Sequence, residues 1–180
     1  MGIKYLENTA DIEQAFMSRF VMSWETFQIR QNEWIAEMEK QNYPIDMRWY
    51  ESSYFWDRMD PDYPRVSMAE ALNELRAHSG PVLFMTEKGE NTCFEGKKSV
   101  DYIAEADASE LAERIEHDWY ESYRLFEQGR YLVDELPEDL YVFDRSMTWC
   151  VVFTHETWDW EAESTDMMKA AESRYCIICK

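Results

Sequence analysis

The sequence predicts one α+β domain spanning residues 1–180, in which a mainly antiparallel sheet with a C-terminal hairpin packs against two long amphipathic helices. Three observations predict this class. Apolar residues recur at steps of three and four over residues 9–41 and 107–126, the spacing of amphipathic helices. Residues 136–160, LPEDLYVFDRSMTWCVVFTHETWDW, have the β-branched and aromatic content of a hairpin. With 46% hydrophobic residues, the chain can also bury one core of ordinary domain size.

The N-terminal quarter is predicted to form one uninterrupted helix over residues 9–41. Asn8 is its expected N-cap, and Pro44 ends it because the residue before a proline avoids helical geometry. The aromatic-rich run over residues 45–59 is predicted to be helical as well. Residues 60–67 contain two prolines and are predicted to be a loop.

A short helix is predicted next, over residues 68–78. Ser67 and Glu70 have the spacing of a capping box, and Gly80 suits the left-handed position that ends a helix. Residues 81–87 then read as a strand.

The middle of the chain continues this strand into a predicted hairpin. Residues 87–91 are the expected tight turn and residues 91–96 the second strand. Another strand is predicted over residues 100–106. The second long helix follows over residues 107–126, with Asp107 and Glu110 at capping-box spacing, and Gly129 closes it.

The C-terminal third is predicted to build the centre of the sheet. Residues 140–143 and 148–155 are the expected hairpin strands, joined through residues 144–147. A short acidic helix is predicted over residues 159–172, and a last strand over residues 175–179 that joins the same sheet. Period-two alternation places Trp149, Val151, Phe153 and His155 on one face of the second hairpin strand and Cys150, Val152, Thr154 and Glu156 on the other.

Net charge limits the classes of partner. The 37 acidic and 18 basic residues give a formal charge of −19, which repels nucleic-acid phosphates and anionic membranes and attracts basic partners. Solubility or salt adaptation also produces such charge, so the acidity alone proves no function. No apolar run is long enough to span a bilayer, so we expect a soluble cytoplasmic protein that binds neither nucleic acid nor membrane.

The four cysteines are expected to be free and mostly buried thiols, without a structural disulfide. Cys176 and Cys179 have the CxxC spacing of metal knuckles and redox sites. Because a zinc site needs further ligands and a redox CxxC normally opens a helix, we interpret them as thiols of an apolar terminal strand.

Candidate chemistry is sparse elsewhere, and no cofactor or metal is expected. His155 could serve as a general base at the end of the strand, but alternation sends it and Cys150 to opposite faces, which argues against a Cys/His pair. The carboxylates near residues 134–139 and 156–166 lack a calcium-loop pattern and are interpreted as solvated faces.

The exit of the hairpin is the candidate partner-binding site. Tryptophans among acids are typical interface anchors, although buried tryptophans that cap the core would give the same pattern. The candidate residues are His155, Glu156, Trp158, Asp159, Trp160, Glu161 and Glu163.

Residues 136–157, LPEDLYVFDRSMTWCVVFTHET, resemble the C-terminal signature of a family of small bacterial proteins without a known function. In that signature a strand ending in YVFD precedes a tryptophan-bearing strand ending in THE. Small acidic α+β proteins of this kind also resemble, in size, charge and fold class, the immunity proteins that neutralise secreted toxins. The analogy implies an intracellular binding module for a basic protein. The alternative is a small-ligand-binding protein or enzyme with a pocket near His155, and the oligomeric state stays open.

Overall fold

The protein has an α+β fold built on a seven-stranded, all-antiparallel sheet. A computed structural model describes residues 2–41, 54–86, 93–94, 97–98, 102–130, 132, 136–137, 139–157 and 173–180. The strands are β1 (Lys4–Tyr5), β2 (Arg65–Ser67), β3 (Pro81–Met85), β4 (Cys93–Phe94), β5 (Lys97–Lys98), β6 (Ala104–Asp107), β7 (Leu140–Phe143), β8 (Cys150–Thr157) and β9 (Arg174–Cys179). The helices are α1 (Ala10–Phe20), α2 (Trp24–Lys40), α3 (Met68–Ala77) and α4 (Ala108–Phe126).

The predicted C-terminal hairpin lies inside the sheet. The strand order is β1-β6-β3-β7-β8-β9-β2, so β8 has a partner strand on each side, as expected for a strand that is apolar on both faces. The predicted last strand is confirmed as β9 beside β8. The turn before β8 extends to Trp149, because the Asp144 carboxylate accepts hydrogen bonds from the backbone N–H groups of Ser146, Thr148 and Trp149.

Helices cover both faces of the sheet. On one face, α3 and α4 pack over alternate sheet residues that include Phe84, Val151 and Phe153. On the other face, Phe16 and Phe20 of α1 pack over Tyr141 and Phe143, with ring centroids of Phe16 and Phe143 4.8 Å apart. These two surfaces are called the α4 face and the α1 face below.

The prediction of one helix over residues 9–41 is wrong at residues 21–23. Val21 is extended and forms an isolated antiparallel bridge with Met59, which interrupts the helical hydrogen bonds. Ser23 then starts α2, because its side chain accepts a hydrogen bond from the Thr26 N–H. Asn8 is also not the N-cap of α1: it has a left-handed φ of 56°, and Thr9 is the cap residue.

Two further predictions in the first half need correction. Of the helix predicted over residues 45–59, the described part contains a single 3₁₀ turn, Trp56–Arg58, and residues 45–53 lie outside the described residues. The predicted loop over residues 60–67 ends in β2, whose Arg65–Ser67 backbone pairs with β9. A three-residue edge strand after two prolines carries too little alternation to be recognised from sequence.

The predicted N-cap residues of α3 and α4 are confirmed, and the reciprocal capping box is shown for α3. Ser67 and Glu70 form the reciprocal capping box of α3, and the Asp107 carboxylate accepts from two backbone N–H groups at the start of α4. Gly80 and Gly129 have φ values of 89° and 67°, the left-handed geometry that glycine adopts without strain.

The predicted hairpin between residues 81–87 and 91–96 is wrong. β3 pairs instead with β6 and β7, and the strand Cys93–Phe94 pairs with Lys97–Lys98 in a separate two-stranded ladder. The strand expected over residues 100–106 is confirmed as β6, which starts at Ala104 and pairs with β3. Local turn signals do not reveal these pairings, because they join segments 20 to 60 residues apart in the sequence.

Among the described residues, no helix combines the length and the apolar character needed to cross a membrane. The predicted helix over residues 159–172 lies outside the described part of the chain.

Candidate functional site

A β-bulge in β8 determines where His155 lies. The register of β8 against β9 shifts between Phe153 and Thr157, so the alternation of faces breaks at that point. Phe153 still packs on the α4 face, whereas the His155 imidazole contacts Trp56 of the α1 face. The predicted grouping of His155 with Trp149, Val151 and Phe153 is therefore wrong, because β8 has two more residues than β9 over this irregular stretch, and the irregularity redirects the side chain.

Asp139 fixes the orientation of the His155 ring. The Asp139 carboxylate is 2% exposed and accepts from the His155 backbone N–H at 2.9 Å. The His155 Nδ1 atom lies 2.9 and 2.8 Å from the two oxygens of the same carboxylate. A carboxylate that holds Nδ1 directs Nε2 to the other side of the ring, where Glu156 Oε1 lies 3.7 Å from it.

Two stacked aromatic rings form one wall of the site. The rings of Tyr54 and Trp56 are nearly parallel, with centroids 5.2 Å apart. Each meets the His155 imidazole edge-on, at 5.1 and 5.8 Å respectively. The Trp56 backbone N–H donates to the Tyr141 hydroxyl on β7 at 3.2 Å, which attaches this aromatic turn to the sheet.

Asp57 adds a carboxyl group with an altered acidity. Burial raises the pKa of Asp57 from 3.8 to about 6, and repulsion from Glu156 and Asp139 adds to the rise. The Tyr54 backbone N–H, which donates to Asp57 Oδ2 at 3.0 Å, and attraction to His155 oppose it. At neutral pH the site therefore holds a carboxylate whose charge the fold does not fully compensate.

Asp57, Asp139, His155 and Glu156 together are named the His155 cluster. Three carboxyl groups in it surround one imidazole. The negative potential extends to the neighbouring strand: burial raises the pKa of the Tyr175 phenol to about 12, and repulsion from Glu156 contributes. Arg65 acts in the opposite direction on the same phenol.

The structure brings together two of the predicted partner-binding residues. His155 and Glu156 lie in the cluster, and Trp158, Asp159, Trp160, Glu161 and Glu163 lie outside the described residues. The sequence reasoning missed Asp57 and wrongly assigned Asp139 to a solvated face. Asp139 directly precedes β7, and period-two alternation along β7 would have placed it on the same face as Tyr141. The position of His155 beside Asp139 was not predictable in this way, because it depends on the bulge in β8.

Cys150, Cys176 and Cys179 do not contribute to this site. Cys176 packs on the α4 face and Cys179 on the α1 face, so the CxxC pair is split by the sheet. Cys150, Cys176 and Cys179 are free and buried, as the sequence predicts. Cys150 lies five residues before His155 along β8, roughly 15 Å at the usual strand rise, so they form no catalytic pair.

A small cavity lies on the opposite side of the sheet. It has a volume of about 30 Å³, about the share of one water molecule, and its lining includes Asp118, Trp119, Tyr123, Phe153 and Arg174. His155 is not part of that lining. Among the described residues, no group of three or more His, Cys, Asp or Glu side chains is arranged to hold a metal ion.

Comparisons with protein-family models, with curated proteins and with solved structures found no match to this chain.

Proposed function

We propose that the protein is an acidic, immunity-like binding module for a basic protein partner, and that the His155 cluster receives a cationic side chain of that partner. The observation that carries the proposal is the partly buried Asp57 carboxyl with a pKa of about 6. A bound lysine or arginine would supply the positive charge that this group lacks in the free protein.

The surroundings of the cluster favour a cation over an anion or an apolar ligand. The chain carries a formal charge of −19, which attracts a basic surface over a distance. The half-buried Tyr54 ring, which stacks on the buried Trp56 ring, offers aromatic surface beside the carboxylates, and aromatic faces attract ammonium and guanidinium groups. Trp158 and Asp159 follow β8 directly in sequence and stay predicted partner-binding residues.

The proposal predicts salt-dependent binding that depends on this cluster. A decalysine peptide is the probe, and isothermal titration calorimetry at low ionic strength measures the affinity. The double variant Asp57→Asn, Glu156→Gln should weaken binding roughly tenfold more than a charge change elsewhere, because it removes the two partly exposed carboxylates nearest to the docked cation. Added salt should weaken wild-type binding, since exposed charges are screened.

A control is available on the opposite face of the sheet. Glu113 is an exposed residue of α4, so a Glu113→Gln, Glu116→Gln variant removes the same number of charges away from the cluster. Equal losses in both double variants would mean that decalysine responds to net charge alone, and would contradict a defined site.

One observation favours a second candidate function, a small-ligand-binding protein or enzyme. Asp139 holds His155 by Nδ1, and a second carboxyl group nearby has a pKa of about 6, an arrangement found where acid–base groups act. The same titration separates the two candidates when it includes acetyl-lysine amide, which carries one lysine side chain. Binding as tight as that of decalysine favours a small-ligand pocket, whereas binding only of the polycation favours a protein interface.

A further inference from the structure

Cys150 and Cys179 lie directly opposite each other on neighbouring strands. Cys150 is the first residue of β8, and its Cα partner in the antiparallel ladder is Cys179 at the end of β9. Both side chains pack on the α1 face and are fully buried. Cys179 Sγ donates to Met59 Sδ at 3.7 Å, and the Cys179 thiol is close enough to Cys150 to help raise the pKa of that thiol.

This register satisfies the distance requirement for a disulfide. Opposed residues of an antiparallel pair have Cα atoms about 4.5 or 5.5 Å apart, depending on their hydrogen bonding. Both spacings fall within the range of about 4.4–6.8 Å over which disulfides form. Cys176 fails the same test, because it packs on the α4 face, behind the sheet from the other two thiols.

We propose that Cys150 and Cys179 form a reversible, redox-sensitive cross-strand disulfide that joins β8 to β9. The CxxC spacing of Cys176 and Cys179 is then incidental, and the reactive pair is 29 residues apart in sequence. The bridge closes residues 150–179 into a covalent ring. This inference does not rest on the proposed partner site.

The reaction is a thiol–disulfide exchange with a small disulfide such as oxidised glutathione. One cysteine thiol loses its proton and attacks the glutathione disulfide, giving a mixed disulfide and one glutathione thiolate, which takes up the proton. The second cysteine attacks the mixed disulfide and releases the second glutathione. Two protein thiols are oxidised and one glutathione disulfide is reduced, and excess reduced glutathione reverses both steps.

Burial makes this pair slow to react. Desolvation, followed by the contact with Cys179, raises the pKa of the Cys150 thiol well above its usual range. The thiolate is the attacking species, so exchange requires the end of β9 to separate from β8. Oxidation should therefore accelerate in urea concentrations below the unfolding transition.

The test uses the full chain, incubated with millimolar oxidised glutathione, denatured, alkylated with a maleimide and analysed by mass spectrometry. The expected result is a protein with two fewer maleimide labels, and a peptide map that links Cys150 to Cys179. Thermal unfolding of the bridged protein should shift upward by several degrees, because the cross-link restricts the unfolded chain. Reduction should return the original midpoint.

The Cys176→Ala variant is the matched control and should form the bridge as the wild type does. Cys179→Ala should lose it. If a variant folds poorly, the peptide map of the wild-type protein still identifies which two cysteines are linked. A map that links Cys176 to Cys179, or folded protein that keeps both thiols while its β9 strand opens in urea, would overturn the proposal.

Discussion

Asp57→Asn is expected to raise the free energy of unfolding at pH 8 by roughly 2–3 kcal/mol. The folded state raises the pKa of this carboxyl from 3.8 to about 6, chiefly through burial, so ionisation above pH 6 works against folding. Asparagine removes that charge and keeps an oxygen that can accept the hydrogen bond from the Tyr54 N–H. Urea titrations of both proteins measure the difference.

The pH dependence gives the sign of this effect independently. Between about pH 4 and pH 6 the folded protein keeps the Asp57 proton while the unfolded chain releases it. The contribution of Asp57 to the free energy of unfolding of the wild type therefore falls as pH rises through that window. The advantage of Asp57→Asn should therefore shrink toward zero as pH falls to about 4. Asp62→Asn, an exposed change nearby, should alter stability by only a few tenths of a kcal/mol. A destabilised Asp57→Asn protein at pH 8 would contradict the account.

Asp118→Ala is expected to lower the free energy of unfolding by about 3 kcal/mol. Asp118 on α4 is 4% exposed, and both of its oxygens lie 2.6 Å from Arg114 Nε. It also accepts from the Leu136 backbone N–H at 3.0 Å, which connects α4 to the chain entering β7. Alanine leaves a buried N–H without its acceptor and a partly buried guanidinium without its counter-ion.

Two controls identify the source of that loss. Asp118→Asn keeps an oxygen for the Leu136 N–H and should recover part of the stability, whereas the exposed change Glu113→Ala on the same helix should have little effect. Chemical denaturation of the three variants ranks them. An Asp118→Ala protein as stable as Glu113→Ala would show that the buried carboxylate contributes nothing net.

Much of the fold was predictable from local patterns. The periodicity of α4, the capping box at Ser67 and the apolar run of the hairpin each correspond to interactions between residues near one another in sequence. The break between α1 and α2 was not predictable in the same way. It depends on the bridge of Val21 to Met59, and a helical apolar stripe continues through residues 21–23 without marking that long-range contact.

The candidate site was predictable only in part. The composition of the hairpin exit drew attention to His155 and Glu156, and both lie in the cluster. Asp57 and Asp139 join it through the 3₁₀ turn at residues 56–58 and the bulge in β8. This irregularity adds two residues to β8 without a sequence signature, yet it breaks the alternation from which the faces of the side chains are predicted.

The measurement that most directly tests the cationic site is proton release on binding. Decalysine is titrated into the protein at pH 6 in two buffers with different ionisation enthalpies. A cation docked beside Asp57 must lower the raised pKa of that carboxyl, so the wild type should release protons, Asp57→Asn should release fewer, and the release should fade at pH 8. Binding without proton release at pH 6, or equal release by Asp57→Asn, would contradict the account.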